Sequence, residues 1–128
     1  MSRVDTCVYE DCKAAYDATR VTVARFLLSS YPDRNFVKRA GLEVPADLEA
    51  LSSKRDYSLV PQAAKLVPDE LVQAFCWAGT PEMVADRVIE VARATGISEF
   101  GFWALLAPGQ SREEAAQLIA NKVLPRIR

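Results

Sequence analysis

The stretch FGFWALL, residues 100–106, decides the fold class of this chain. It carries no charge, and its large apolar side chains fall on both faces of an extended segment instead of on alternate positions. Such a pattern is typical of a strand in a parallel sheet that helices cover on both sides. The stretch therefore predicts a buried parallel strand within residues 97–106, and with it an α/β fold.

Helix signals flank this strand on both sides. Before it, Thr80 is predicted to cap a helix that has Pro81 at its first position and that stops at Gly96. After it, Ser111 and Glu114 form a capping box, which predicts a final helix that stops at Pro125. The predicted strand thus lies between two helices, as in a repeating strand–helix fold.

A second strand is predicted near the N-terminus, at residues 4–9, followed by a helix at residues 12–29. Residues 31–78 read as a helical excursion of short helices, which must pack on something larger because each is too short to be stable alone. The two strands are expected to lie adjacent and parallel. A complete barrel of eight strand–helix units needs about 250 residues. The chain is therefore predicted to be the mostly helical C-terminal part of a (β/α)8 TIM-type barrel, a single partial domain over residues 1–128.

Composition excludes several classes of function. The 16 basic and 17 acidic residues alternate along the chain and give a net charge of −1, which disfavours nucleic-acid binding. No apolar run is long enough to span a bilayer, and the N-terminus lacks a signal peptide, so a cytoplasmic protein is expected. Histidine is absent, which rules out Ser-His-Asp and Cys-His sites. The cysteines Cys7, Cys12 and Cys76 are poorly spaced for zinc, so no metal site is predicted.

Four segments together resemble the C-terminal region of the luciferase-like monooxygenase family. They are VPDELV at 67–72, AGTPEMVA at 78–85, the apolar strand at 100–106 and VLP at 123–125. The first strand and its helix, with Ala14, Ala15 and Arg20, also fit the penultimate barrel strand of that family and the helix after it. The resemblance implies a flavin- or deazaflavin-dependent oxidoreductase with a (β/α)8 barrel.

The resemblance leaves two functions open. In one, the chain is a fragment or a short member of the family that contributes the last two strand–helix units and part of the substrate pocket, and the whole enzyme uses FMN or an 8-hydroxy-5-deazaflavin coenzyme. In the other, it is a non-catalytic interaction or oligomerisation module derived from that barrel. No catalytic residue of the family can be assigned to a position here, so the isolated chain is expected to bind no cofactor and to be inactive.

Candidate substrate- or cofactor-proximal residues lie in the loops that follow the strands and in the excursion. The aromatic side chains could stack on a flat ring system or could only anchor a loop to the core. The basic side chains could bind an anion or could only be exposed to solvent. The start of the helix after residue 80 could bind an anion through its free N–H groups, or Thr80 and Pro81 could be only a helix cap. The candidates are Tyr31, Phe36, Arg34, Lys38, Gly79, Thr80 and Leu106.

An interaction partner is also predicted. Two strands expose two edges and an apolar face, which favours pairing with another chain. The expected partner is a second copy of the chain or a polypeptide that completes the barrel, over an interface of at least about 1,000 Å².

Overall fold

Three parallel strands form one sheet in the computed structural model, which describes residues 2–127. Strand β1 is Ser2–Val8, β2 is Trp77–Gly79 and β3 is Phe100–Ala104. Their order in the sheet is β2-β1-β3, so the first strand of the chain is the central one.

Helices make up most of the remaining chain. In order they are α1 (Cys12–Ser30), α2 (Asn35–Arg39), α3 (Ala46–Ser52), α4 (Val60–Ala64), α5 (Asp69–Phe75), α6 (Pro81–Thr95), α7 (Arg112–Leu118) and α8 (Leu124–Ile127). A 3-10 turn at Tyr57–Leu59 leads into α4, and a π-helical turn at Ile119–Val123 joins α7 to α8. No helix within residues 2–127 is both long enough and apolar enough to cross a membrane.

The chain divides into two compact units. The second unit is Arg20–Ala74, and the first comprises the sheet and the remaining helices of the described chain. Helix α1 begins in the first unit and ends in the second. The single domain over residues 1–128 stays a prediction.

The predicted adjacency of the two main strands is confirmed. Strand β1 pairs in parallel with β3 over a register that runs from Ser2 opposite Phe100 to Thr6 opposite Ala104. The count of two strands is wrong, because β2 pairs in parallel with the other edge of β1, with Thr6 opposite Trp77. Strand β2 has only three residues, which is too short to show the alternation from which strands are recognised.

Both predicted helix caps are present. The Thr80 side chain accepts a hydrogen bond at the start of α6, which ends at Gly96 in the left-handed conformation with φ of 72°. Ser111 caps α7 through the backbone N–H of Glu114. The predicted stop at Pro125 is wrong: the helical path continues from α7 through the π-helical turn, and this proline is the second residue of α8, next to the point where the regular i→i−4 hydrogen bonding is already interrupted.

Apolar side chains cover both faces of the sheet in the first unit. On one face, Val8 and Trp77 pack with Val84 and Val88 of α6 and with Val123. On the other face, which we call the α1 face, the side chains in contact are those of Cys7, Tyr9, Ala15, Ala18, Ala78, Leu105 and Ala107. Helices α6 and α1 therefore lie on opposite sides of the sheet.

Strand β3 is less buried than its sequence predicts. Trp103, which points to the α1 face, is 54% exposed, and Leu106 is 37% exposed. The strand lies at the edge of the sheet and pairs only with β1 within the described chain. The prediction of burial on both faces is therefore wrong for these residues: α1 covers only the carboxyl half of its face and leaves Trp103 open, and Leu106 lies in the loop beyond the end of the strand.

The second unit has its own apolar core. Its fully buried large side chains include Leu27 and Leu28 of α1, Leu48 of α3 and Leu71 of α5. The guanidinium of Arg20 donates to the backbone carbonyl of Val67 at 2.8 Å and to the Asp69 carboxylate, which joins α1 to the start of α5.

Candidate functional site

The carboxyl edge of the sheet is the candidate site of the first unit. All three strands are parallel, so their carboxyl ends lie on the same side, where α/β proteins bind ligands. The backbone N–H of Tyr9, just after β1, donates to the carbonyl of Gly79 at 3.0 Å. The N–H of Leu105, just after β3, donates to the carbonyl of Thr6 at 2.7 Å.

Gln110 holds the loop after β3 against the end of β1. Its side chain is buried, donates from Nε2 to the Val8 carbonyl at 2.9 Å and accepts from the Ala107 N–H at 3.1 Å. Its own N–H donates to the Ala107 carbonyl at 3.0 Å. Sequence reasoning missed this residue, although its position between Pro108-Gly109 and the Ser111 cap marks it as part of a tight turn.

Gly79 and Thr80 shape the point where β2 turns into α6. Gly79 has φ of 132°, and a Cβ there would lie 3.0 Å from Sδ of Met83. The backbone N–H of Met83 donates to the Thr80 hydroxyl oxygen at 3.4 Å. The positive φ therefore favours glycine at this turn, and Thr80 acts as the helix cap that the sequence predicted.

A carboxylate of the chain itself lies at the start of α6. The pKa of Glu82 is lowered, first by a hydrogen bond from its own backbone N–H and then by the Thr80 hydroxyl, with smaller contributions from Arg126 and Lys122. An external anion that bound at Thr80 would therefore be repelled by the Glu82 carboxylate.

Two basic side chains near this edge, those of Lys122 and Arg126, are in ion pairs. Lys122 Nζ lies 2.8 Å from Glu10 Oε1, and this hydrogen bond raises the pKa of Lys122. A guanidinium nitrogen of Arg126 lies 3.7 Å from Oδ1 of Asp86. Glu10 follows β1 directly, so the loop after the central strand is acidic and is tied to the C-terminal helical segment.

Four of the candidates belong to the second unit. Arg34 is 9% exposed, and its Nη2 lies 2.6 Å from the Glu49 carboxylate and 3.0 Å from the Leu27 carbonyl. Its guanidinium carbon lies 5.4 Å from the centre of the Tyr31 ring, so these two candidates are in contact.

The other two candidates of this unit are separate from that pair. The Phe36 ring packs against the Phe26 ring with centres 4.8 Å apart. Lys38 is exposed in the last turn of α2. These contacts fit loop-anchoring roles for the aromatic side chains.

Comparison with known proteins decides the family. The model of the luciferase-like monooxygenase family matches residues 1–99. The chain belongs to this family. This luciferase-like chain is 31% identical over 127 residues to the 5,10-methylenetetrahydromethanopterin reductase of Archaeoglobus fulgidus, covering 94% of the chain and 36% of that protein. It is 26% identical to the enzyme of the same name from Methanopyrus kandleri, covering 100% of the chain and 37% of that protein.

A solved structure agrees with the sequence relatives. The luciferase-like chain superposes on the coenzyme F420 dependent tetrahydromethanopterin reductase from Methanopyrus kandleri with a TM-score of 0.74 and 26% identity. The match covers 98% of this chain and 35% of that structure. The chain thus spans about a third of the length of the relatives it matches.

The residues present do not fit a complete flavin or deazaflavin coenzyme. Such a coenzyme carries anionic groups, whereas the loops at the carboxyl edge contribute the acids Glu10, Asp11 and Glu82. The segments that follow the strands, residues 9–11, 79–82 and 105–110, contain no lysine or arginine. Lys122, which reaches this edge, is paired with Glu10. The loops at this edge therefore supply no cationic group for the anionic part of the coenzyme.

Proposed function

We propose that this chain is the C-terminal strand–helix part of a deazaflavin-dependent oxidoreductase with a luciferase-like barrel. Strands β1, β2 and β3 would be three of the parallel strands of that barrel, with α6 joining β2 to β3. The supporting observation is the match of nearly the whole chain to a coenzyme F420 dependent reductase. A cytoplasmic location is part of this proposal.

The deazaflavin would supply hydride transfer, and the chain would supply part of the substrate pocket. Leu106 is 37% exposed directly after β3, on a loop that Gln110 fixes to the end of β1. An apolar side chain on a fixed loop can form a pocket wall that orients a substrate and excludes water. Because the loops at this edge are acidic, the groups that bind the anionic part of the coenzyme would lie elsewhere in the complete site.

The alternative is a non-catalytic interaction module. Its support is the same acidic edge, together with the uncovered Trp103, because an exposed aromatic at a sheet edge is typical of an interface. The two functions differ in one respect that can be measured: only the first requires that the completed assembly bind a deazaflavin.

A cofactor titration tests the proposal. Coenzyme F420 and FMN are titrated, with fluorescence detection, into the chain alone and into the chain co-expressed with the part of the Methanopyrus reductase that lies outside the matched 35%. The chain alone is expected to bind neither with micromolar affinity. The assembly is expected to bind F420, and a failure of the assembled complex to bind it would reject the oxidoreductase role in favour of the module.

Substrate contact is tested by a matched pair of variants in the same assembly. Leu106→Asp is expected to raise the KM for the methylene-tetrahydropterin substrate of the relatives at least tenfold. Val21→Asp serves as the control, because Val21 has the same 37% exposure as Leu106 but lies on α1 in the second unit. Equal increases in KM for the two variants would show that Leu106 does not line the substrate pocket.

A further inference from the structure

A cleft lies at the amino end of the sheet, within the first unit. Its volume is about 600 Å³, which is in the range of sites that bind small molecules. It is lined by the last two turns of α6, by Phe100 at the start of β3, and by Arg126 and Ile127 of α8. Because β3 begins at Phe100, the cleft is separate from the carboxyl edge that Leu106 and Gln110 shape.

The apolar wall of the cleft is fixed to the core of the first unit. Val88 is buried in that core, and Phe100 and Ile127 pack against it. The centre of the Phe100 ring lies 5.4 Å from that of the Trp77 ring. The wall is therefore preformed, so the binding of an apolar group would cost little free energy for ordering of the site.

The charged side chains that line the cleft are both cationic. They are Arg93 and Arg126, and none of the lining residues in the described chain is an acid. Arg93 is exposed in the last turn of α6 and takes part in none of the ion pairs found within residues 2–127. Glu90, one turn earlier, pairs with Arg87 at 3.2 Å, and Asp86 lies 3.7 Å from Arg126. The guanidinium of Arg93 is therefore free to bind an anionic ligand.

The carbonyl groups at the end of α6 are already bonded. A helix C-terminus carries partial negative charge, which would oppose an anion in the cleft. The Ala92 carbonyl, however, accepts from the Gly96 N–H at 2.9 Å, and the Val91 carbonyl accepts from the Thr95 hydroxyl at 2.7 Å. These bonds satisfy the carbonyls and leave the positive charge of the arginines as the main electrostatic feature of the cleft.

We propose that this cleft binds an amphipathic carboxylate, whose anionic head pairs with Arg93 and whose hydrocarbon body lies against Phe100 and Ile127. This site goes beyond the proposed function, because it lies at the opposite edge of the sheet and requires neither a coenzyme nor turnover. One unpaired guanidinium matches the single charge of a carboxylate and can bind it through two hydrogen bonds. A phosphate monoester carries nearly two charges and would leave one of them unmatched.

Titration of the chain with octanoate, followed by NMR chemical shifts, tests the proposal. The expected dissociation constant is on the order of 0.1 mM. Acetate lacks the apolar body and octanol lacks the charge, so each should bind at least about tenfold more weakly. Arg93→Gln is expected to weaken octanoate binding by about tenfold or more and to leave octanol binding unchanged. Arg112→Gln, at an exposed arginine in the first turn of α7, is the control and should bind octanoate as the wild type does.

A second pair of variants locates the ligand in the cleft. Ala92 lines the cleft, whereas Ala94, also on α6, does not. Ala92→Phe is expected to abolish octanoate binding because the ring would fill the cleft, and Ala94→Phe is expected to retain it. Circular dichroism checks that both variants fold, and if Ala92→Phe does not, the comparison of Arg93→Gln with Arg112→Gln decides.

Four results would overturn the proposal. They are no octanoate binding up to about 1 mM, equal affinity for octanol and octanoate, unchanged octanoate binding by Arg93→Gln, and an equal loss in the two folded phenylalanine variants.

Discussion

The side chain of Gln110 donates a hydrogen bond to the backbone carbonyl of Val8, a residue 102 positions earlier in the chain, at 2.9 Å. The same amide accepts from the Ala107 N–H at 3.1 Å. One buried side chain thus satisfies the last carbonyl of the central strand and shapes the loop after the edge strand. Gln110 thus helps to fix the geometry of the carboxyl edge, although it was not among the candidates chosen from the sequence.

Replacing Gln110 with leucine should therefore destabilise the chain. The change leaves the Val8 carbonyl and the Ala107 N–H without their partner, and we expect a loss of about 2 kcal/mol in the free energy of unfolding. Urea denaturation followed by circular dichroism measures it. Gln117→Leu on the exposed side of α7 is the control and should change stability by less than about 0.5 kcal/mol. Equal effects of the two variants would show that the bridge contributes nothing.

Gly79→Ala should also be costly. The φ of 132° is unfavourable for any side chain, and the new Cβ would lie 3.0 Å from the Met83 side chain. We expect a loss of about 2 kcal/mol. Gly109→Ala is the matched control, because φ there is 79° but no atom lies within 4 Å of the new Cβ, so the loss should be nearer 1 kcal/mol. A lower melting temperature for Gly109→Ala than for Gly79→Ala would contradict the prediction that the substitution at Gly79 costs more stability.

The sequence predicted the elements that have local signals. Thr80, Gly96 and Ser111 marked helix ends correctly, and the apolar run at residues 100–106 located β3 and its parallel pairing. It could not predict β2, because three residues carry no periodicity, and it misjudged burial because the exposure of Trp103 depends on which strand is outermost. The roles of Gln110 and Glu82 depend on residues far away in the chain or on backbone geometry, and neither is visible in a local pattern.

Arg34 is expected to stabilise the second unit. Its guanidinium is mostly buried and bonds Glu49, Ser30 and the Leu27 carbonyl. Arg34→Leu leaves these groups unpaired, and because the Glu49 side chain is 32% exposed we expect a loss of about 2–3 kcal/mol. Lys38→Leu, at an exposed position of α2, should be near neutral, and urea denaturation compares the two. A small loss for Arg34→Leu would favour a ligand-binding role for this residue instead.

The stability of the chain should fall in alkaline solution. Burial raises the pKa of Cys7 to about 11 and that of Cys76 to about 12, from 9.0, and for Cys76 the charges of Asp5 and Cys7 add to the effect. Both folded pKa values lie above the unfolded value. The stabilisation is therefore complete below pH 9 and is lost as the pH rises towards 12, because the unfolded thiols ionise first.

Urea midpoints measured between pH 8 and pH 10.5 test this dependence. Cys76→Ala should flatten the decline, whereas Cys12→Ala should leave its slope unchanged. An identical slope in the wild type and in Cys76→Ala would show that the buried thiol does not cause the decline.

The central position of β1 has a consequence for how the chain folds. Ser2 pairs with Phe100 and Thr6 with Trp77, so β1 is synthesised long before either of its neighbours. At roughly 5–20 residues per second, translation takes roughly 5–20 seconds to pass from β1 to β3. Until residues 77 and 100 are reached, β1 lacks first β2 and then β3 as a neighbour, and contacts between such distant residues slow folding. The exposed edges of the nascent β1 strand thus favour its transient binding by a chaperone.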